Sequence, residues 1–285
     1  MTARILSGEV VADAAKVRYR ARVEALRERG VSVGLGTILV GDDGPSANYV
    51  AMKHRDCEEV GIRSVHRHLP ANVTLEDVLR VVDEFNADPE VDAYLVQLPL
   101  PNGIDEERVL TAVDPSKDVD GLHPLNLGKL VMGKDGPLPC TPAGIIELLD
   151  AYEIPVEGRH VVIVGRGLTV GRPLALMLSS NRPGCNAAVT VVHSRVPDLG
   201  RIVSLGDIVV SAAGSPALIT GSMIRPGAVV IGAGTSWEGR RLVSDLAEDV
   251  AEIAGAITPR LGGVGPMTRS MLLHNVLSAA ERAAS

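Results

Sequence analysis

The stretch VIVGRGLTVGRP, Val162 to Pro173, decides the fold. It passes from an apolar, β-branched run into a turn that holds Gly165, Gly167 and Gly171, with Arg166 and Arg172 among them. A strand that feeds a glycine-rich turn and then a helix brings backbone amides and a helix N-terminus up to a phosphate. The spacing is Gly-x-Gly-x-x-x-Gly rather than the commoner Gly-x-Gly-x-x-Gly, and a tight strand–helix turn with no ligand is the alternative reading. The next strand, AVTVVH, closes on His193, Ser194 and Arg195. An NAD site usually places a carboxylate there to accept from the adenosine ribose, whereas a hydroxyl and a guanidinium suit a 2′-phosphate. Arg166 can close on the same group from the first turn, so the pattern favours NADP; solvated surface arginines are the alternative. Two further turns, SAAGSP (Ser211 to Pro216) and IGAGTS (Ile231 to Ser236), follow later strands. Both fall where loops at carboxyl strand ends line a cofactor crevice.

Strands and helices alternate on both sides of this stretch. Upstream, Ser7 caps a helix to about Arg29 that Gly30 closes, and Val33 to Gly41 reads as a buried strand. A helix from about Ser46 to Gly61 follows, then a short strand SVHRHL with His66 and His68 on one face. Thr74 and Asp77 have capping-box spacing, and DAYLVQLPLP is an apolar strand stopped by Pro99 and Pro101. Pro142 fits the first turn of a helix in LPCTPAGIIELLDAY, and GPMTRSMLLHNVLSAAERA reads as a final amphipathic helix. The pattern predicts an α/β protein of two domains. An N-terminal α/β catalytic domain of residues 1–138 with 269–285 would face a Rossmann-like NADP-binding domain of residues 139–268 across a cleft. A crossing near Gly136 and a returning last helix would make the first domain discontinuous.

Composition agrees with that plan. At 285 residues the chain is long enough for about two domains. Hydrophobic residues make up 46% and aromatics only 2%, so the cores must be aliphatic, as buried parallel sheets are. A net charge of −7 argues against general nucleic-acid binding, which needs a basic field. The three cysteines are scattered and form no Cys-x-x-Cys pair, which suits a reducing compartment. The N-terminus lacks a signal-peptide pattern and no run is apolar enough to span a bilayer, so a soluble cytoplasmic chain with no membrane partner is expected. His66-x-His68 has no further ligands near it, and no metal is expected.

Three features of the first half carry possible chemistry. Tyr49 and Lys53 are four apart and share a helix face, although an isolated helical lysine is usually a solvated charge. Gln97 ends a buried strand and would emerge at the carboxyl edge, where a polar side chain needs a partner or a function. KDVDG (Lys117 to Gly121) brings two carboxylates together, a pattern that is more often loop solvation than ligand contact. On spacing alone the chain is an NADP-dependent two-domain oxidoreductase.

Longer motifs narrow this. YVAMK with its downstream GI, VQLPLP, DPSKDVDGLHPLNLGKL, PCTPAGIIELL, VGRGLTVGRP, VTVVHSR and ITPRLGGVGPMT occur in this order. The chain thereby resembles, along nearly its whole length, the bifunctional methylenetetrahydrofolate dehydrogenase/cyclohydrolase family. The resemblance implies oxidation of 5,10-methylenetetrahydrofolate by NADP, then hydrolysis of the methenyl cation to 10-formyltetrahydrofolate. Lys53 matches the family's proton-transfer lysine, whose pKa its surroundings would have to lower. Gln97 matches the glutamine that assists it, Tyr49 the tyrosine packed on the folate, and Asp120 the carboxylate that anchors the pterin. Gly262 to Thr268, including Gly263 and Pro266, match the loop where folate and nicotinamide meet. Thr141 falls in the loop before the helix at the nicotinamide end, and a homodimer is implied.

Three positions depart from the family pattern. Gly167 replaces the usual serine, Gly232-Ala233-Gly234 replaces an acidic residue before Val-Gly, and Pro259-Arg260-Leu261 replaces Pro-Val-Pro. The departures sit in the cofactor half and suggest weaker cofactor affinity or altered NADP choice. Competing readings are a monofunctional member with weakened dehydrogenase, a shikimate-type NADP dehydrogenase, and a nucleotide-sensing protein without catalysis. QLPLP with KDVDG weighs against the shikimate type, and intact Lys53 and Gln97 weigh against the sensor.

Overall fold

The structure, a computed structural model, describes residues 3–239 and 241–285. The chain begins with β1 (Arg4–Ile5), α1 (Gly8–Glu28), β2 (Gly34–Val40), α2 (Gly44–Val60), β3 (Arg63–Leu69), α3 (Leu75–Ala87) and β4 (Ala93–Val96). Three helices follow, α4 (Glu106–Ala112), α5 (Pro124–Val131) and α6 (Cys140–Ala151). Then come β5 (His160–Val164), α7 (Gly171–Leu178), β6 (Ala188–Val192), α8 (Leu199–Val203), β7 (Ile208–Ser211) and β8 (Val229–Gly232). The chain closes with β9 (Thr235–Glu238), β10 (Arg241–Ser244), α9 (Val250–Ile253), β11 (Ala256–Ile257) and α10 (Val264–Ala283).

Contacts divide the chain into two compact units, residues 1–12 with 139–268 and residues 13–138 with 269–285. The first twelve residues therefore correct the expected boundary. Arg4 and Ile5 pair in parallel with Ala256 and Ile257, and so add an edge strand to the sheet of residues 139–268. A two-residue strand has no periodicity of its own, and its partner lies some 250 residues away, so no local pattern announced it.

The unit of residues 1–12 and 139–268 holds a six-stranded sheet in the order β1-β11-β8-β7-β5-β6, all parallel. Period-two alternation sorts β5 between two cores. Val161 and Ile163 join Ile145, Leu148, Leu174 and Leu178 from α6 and α7. Val162 and Val164 join Val203, Ile219, Ile224 and Val250 on the other face. Both faces are covered, which explains why these strands read as unbroken apolar runs. The order reverses at β5, whose neighbours are β6 on one side and β7 on the other. The antiparallel pair β9–β10 lies outside this sheet.

The unit of residues 13–138 and 269–285 is built on a parallel sheet in the order β3-β2-β4. Central β2 is buried throughout, and edge strand β3 is half-buried to exposed. Ile38, Val40, Tyr94 and Val96 share a core with Val78, Val82 and Phe85 of α3 and Val109 of α4. The expected capping box opens α3, with Thr74 accepting from the Asp77 amide and Asp77 accepting from the Thr74 amide.

The six-stranded sheet supplies a stability test. Ile163 is fully buried at the centre of β5. Ile163→Ala should cost about 2–5 kcal/mol through lost burial and a residual cavity. Urea unfolding followed by far-ultraviolet circular dichroism checks it; a loss well under 1 kcal/mol would contradict this packing.

Candidate functional site

In the unit built on β3-β2-β4, α2 and the end of β4 carry the reactive groups. Asp43 caps α2 by accepting from the Ser46 amide, and Pro45 fits the first turn. Gly61 ends the helix with a φ of 83°. This frame sets the register of Tyr49 and Lys53. Lys53 is only 4% exposed, a burial that an isolated solvated lysine would not show. Its Nζ donates to Gln97 Oε1 at 3.1 Å and sits 5.0 Å from the centre of the Tyr49 ring, within cation–π range. Gln97 is fixed from two sides. Its backbone amide donates to Ile38 O, and its Nε2 donates to Leu98 O at 2.8 Å, which turns Oε1 toward the lysine.

The KDVDG segment divides its two carboxylates. Asp118 is buried and accepts from the amides of Gly121 (3.0 Å) and His123 (2.8 Å) and from Asn126 Nδ2 (2.9 Å). It therefore organises the turn. Backbone bonds from Tyr94 N to Lys117 O and from Val119 N to Tyr94 O lay the segment along β4. Asn275 Nδ2 donates to both Val119 O and Leu138 O. Asp120 is half-buried and accepts no hydrogen bond among the described residues, so its oxygens remain available to a ligand. Burial raises its pKa; the charge of Lys53 opposes the rise and that of Asp118 adds to it.

A histidine cluster lies on the same helix and sheet. Fully buried Thr37 Oγ1 meets His54 Nε2 at 2.9 Å and His66 Nδ1 at 2.8 Å. His68 Nε2 lies 2.9 Å from Gly41 O. No group of three or more metal-ligating side chains is present among the described residues. Cys57 is fully buried, and burial raises its thiol pKa to about 12, so it is no nucleophile at neutral pH.

The nucleotide-type site is in the other unit, at the end of β5. Gly165 has a φ of 124°, and a Cβ there would lie 2.2 Å from Ala212 O. A Cβ on Gly171 would lie 2.2 Å from Gly165 O. Only glycine permits this close folding of the turn. At Gly167 a Cβ would meet nothing within 4 Å, so the departure from serine removes a side chain without steric cause. Helix α7 starts at Gly171 with no side-chain cap, leaving its N-terminus to a ligand. Arg166, Arg172 and Arg195 are exposed and form no ion pair among the described residues. His193 is half-buried and Ser194 exposed beyond the end of β6. An uncapped helix end, three guanidinium groups with no ion pair among the described residues, and His193-Ser194-Arg195 rather than a carboxylate directly after β6 fit a dinucleotide with a 2′-phosphate.

Other expected positions shift slightly. Thr141 lies inside the first turn of α6 rather than in the loop before it, and its Oγ1 is 2.9 Å from Thr268 Oγ1. Helix α10 starts at Val264, so only Gly262 and Gly263 of the Gly262–Thr268 stretch are loop, and Pro266 lies in the first helical turn. Pro142 is buried within the first turn of α6, which begins at Cys140. Arg260 Nη1 donates to Leu242 O at 2.9 Å, tying the altered Pro259-Arg260-Leu261 segment to β10. Sequence reasoning did not separate Asp118 from Asp120 and missed Asn126, Asn275 and Asp245. For Asp118 the signal was the glycine three residues on, which lets a carboxylate accept from its own turn.

Residues 6–120 match the model of the tetrahydrofolate dehydrogenase/cyclohydrolase catalytic domain, and residues 139–284 match that of the same family's NAD(P)-binding domain. The chain belongs to the tetrahydrofolate dehydrogenase/cyclohydrolase family. It is 55% identical over 284 residues to the bifunctional protein FolD of Syntrophotalea carbinolica, covering 100% of this chain and 98% of that one. It is 39% identical to the bifunctional FolD of Campylobacter jejuni, with a TM-score of 0.93 over 98% of this chain and 99% of that one. It is also 39% identical to the Trypanosoma brucei dehydrogenase–cyclohydrolase, solved with NADP cofactor and inhibitor. That likeness has a TM-score of 0.94 over 99% of each chain. Membership of this family removes the shikimate-type reading. No described helix is long and apolar enough to cross a membrane.

The histidine cluster yields a pH test. Burial is the main cause that lowers the pKa of His54 and of His66; for His54 the charges of His66 and Lys53 add, and for His66 that of His68. A histidine whose folded pKa is depressed below about 6.5 binds fewer protons folded than unfolded. Its stabilising contribution is complete above the unfolded value and is lost as pH falls through the folded one. Melting temperatures measured from pH 7.5 to 5 should fall less steeply in a His54→Gln, His66→Gln double variant than in the parent. Equal slopes would remove the pair from the acid response.

Proposed function

We propose that this chain oxidises 5,10-methylenetetrahydrofolate with NADP and hydrolyses the methenyl product to 10-formyltetrahydrofolate. The observation that carries this is the buried Lys53, donating to Gln97 with its Nζ near the Tyr49 ring, in the same unit as Asp120, which feels the Lys53 charge and accepts no hydrogen bond among the described residues. NADP, when bound, supplies the hydride acceptor for the first step. Gly165, Gly167 and Gly171 would hold its pyrophosphate, and Arg166, His193, Ser194 and Arg195 its 2′-phosphorylated ribose. Thr141, Gly262, Gly263 and Pro266 would serve the nicotinamide–folate end. The unit of residues 13–138 and 269–285 would be the folate-binding half.

The roles follow from donor and acceptor chemistry. Asp120 accepts from the paired N–H groups of the pterin edge, which fixes the ring. Tyr49 offers a flat apolar face to it. In the hydrolytic step, water forms a C–O bond to the methenyl carbon, the bond from that carbon to N5 breaks, one water proton passes to N5 and the other is released to solvent, which discharges the cation. Lys53 is the group that carries the proton to N5, because its buried Nζ, held between Gln97 and the Tyr49 ring, is the proton-bearing group at the end of β4. Gln97 holds the lysine Nζ in place through its fixed amide oxygen. We further propose a homodimer, on the family's account.

Two variants test the reading. Lys53→Met should lower methenyl hydrolysis by about 10²-fold or more with the circular-dichroism spectrum unchanged; unaltered hydrolysis would remove Lys53 from its role. Arg166→Ala with Arg195→Ala should raise KM for NADP about tenfold or more while leaving KM for NAD nearly unchanged. Equal losses would place recognition of the 2′-phosphate elsewhere.

A further inference from the structure

Asp245 is completely buried, one residue past β10, and enters no ion pair among the described residues. Its charge is met instead by four donors from one short stretch. Oδ2 accepts from Ser211 Oγ (2.9 Å), Ala213 N (2.8 Å) and Gly214 N (3.2 Å), and Oδ1 from Ser215 N (2.8 Å). The amide between these, Ala212 N, donates to Val164 O in β5. Every amide from 212 to 215 is therefore used.

Successive amides that converge on one point form an anion-binding nest. Here the protein's own carboxylate fills it. The SAAGSP turn thus has no amide to offer a phosphate, although its glycine pattern resembles a second phosphate turn. The pyrophosphate is left to the uncapped α7 end beyond Gly165. What the turn does offer is a wall. Ala212 O presses on Gly165, and Gly214 O is held by Ser236 Oγ at 2.8 Å.

Strand order says which half of the dinucleotide meets that wall. The order reverses at β5, with β6 on one side and β7 on the other. A dinucleotide lies across such a reversal, one half to each side. Resting on the function proposed above, β6 takes the adenosine half, so the turn after β7 takes the nicotinamide half. We propose that Asp245 is a positioning residue for the dehydrogenase: by filling its own amide nest it preforms residues 212–215 as the wall for the nicotinamide half of NADP.

A second contact sharpens the claim. A Cβ on Gly234 would lie 1.9 Å from Asp245 Oδ2, so the glycine of the altered Gly232-Ala233-Gly234 segment makes room for this carboxylate. Gly234→Ala should displace it without changing its charge. Asp245→Asn should turn an NH₂ toward amides that need an acceptor.

The test uses both full-length variants and three readouts: oxidation kinetics with NADP, inhibition by adenosine 2′,5′-bisphosphate, and methenyl hydrolysis without cofactor. KM for NADP should rise, or kcat fall, by about tenfold or more in each variant, since small misplacements of a reactant are costly. Inhibition by the bisphosphate, which carries the adenosine half alone, should stay within about twofold, and hydrolysis should persist. Gly234→Ala carries the test if Asp245→Asn fails to fold. Unchanged oxidation kinetics would overturn the proposal. So would a parallel loss of bisphosphate affinity, which would mark Asp245 as a general scaffold of its unit. A parent protein that neither oxidises its substrate with NADP nor binds the bisphosphate would take down the reading of the nucleotide site itself.

Discussion

At Gly165 two strand ends approach so closely that no side chain fits between them, and the nucleotide-type unit is arranged around that approach. The carbonyl of Ala212 occupies the space where a Cβ would be, and the Gly165 carbonyl in turn occupies the corresponding space at Gly171. Backbone packed on backbone brings the ends of β5 and β7 and the start of α7 together at the point where strand order reverses. The two aliphatic cores on either face of β5 supply the burial that holds those ends in place. The polar consequences follow from it. Helix α7 is left without a cap, and the amides after β7 are satisfied from within by Asp245.

The other unit solves a different problem, which is to keep a cation inside an apolar fold. Lys53 is buried on α2, and an unpaired ammonium there would be costly. Gln97 meets it with a neutral oxygen and Tyr49 with a ring face. Neither of these two contacts carries a formal charge. Lys16, by contrast, pairs with Asp56 and Glu59, and those partners raise its pKa against the opposing effect of burial.

Much of this was legible in the sequence, and the reasons are particular. The 3.6-residue period placed Tyr49 and Lys53 on one face of α2, and apolar β-branched runs located β2, β4, β5, β7 and β8. Spacing could not join Lys53 to Gln97, because that contact spans 44 residues; the longer motifs did. Nor could it divide the labour of Asp118 and Asp120, which depends on which carboxylate folds back on its own turn. Asp245 was invisible for a related reason. It directly follows the short strand β10, and its four donors come from a stretch some 30 residues earlier. The pairing of β1 with β11 was hidden in the same way, by long range and by strands of two residues each.

The most direct single measurement is a spectrophotometric assay of 5,10-methylenetetrahydrofolate with NADP, repeated with NAD, following reduced nicotinamide and the methenyl product separately. The account predicts reduction with NADP, little with NAD, and no accumulation of the methenyl product, since Lys53 and Gln97 would consume it. No reduction with either cofactor would contradict it, and so would methenyl product that accumulates in step with reduced cofactor.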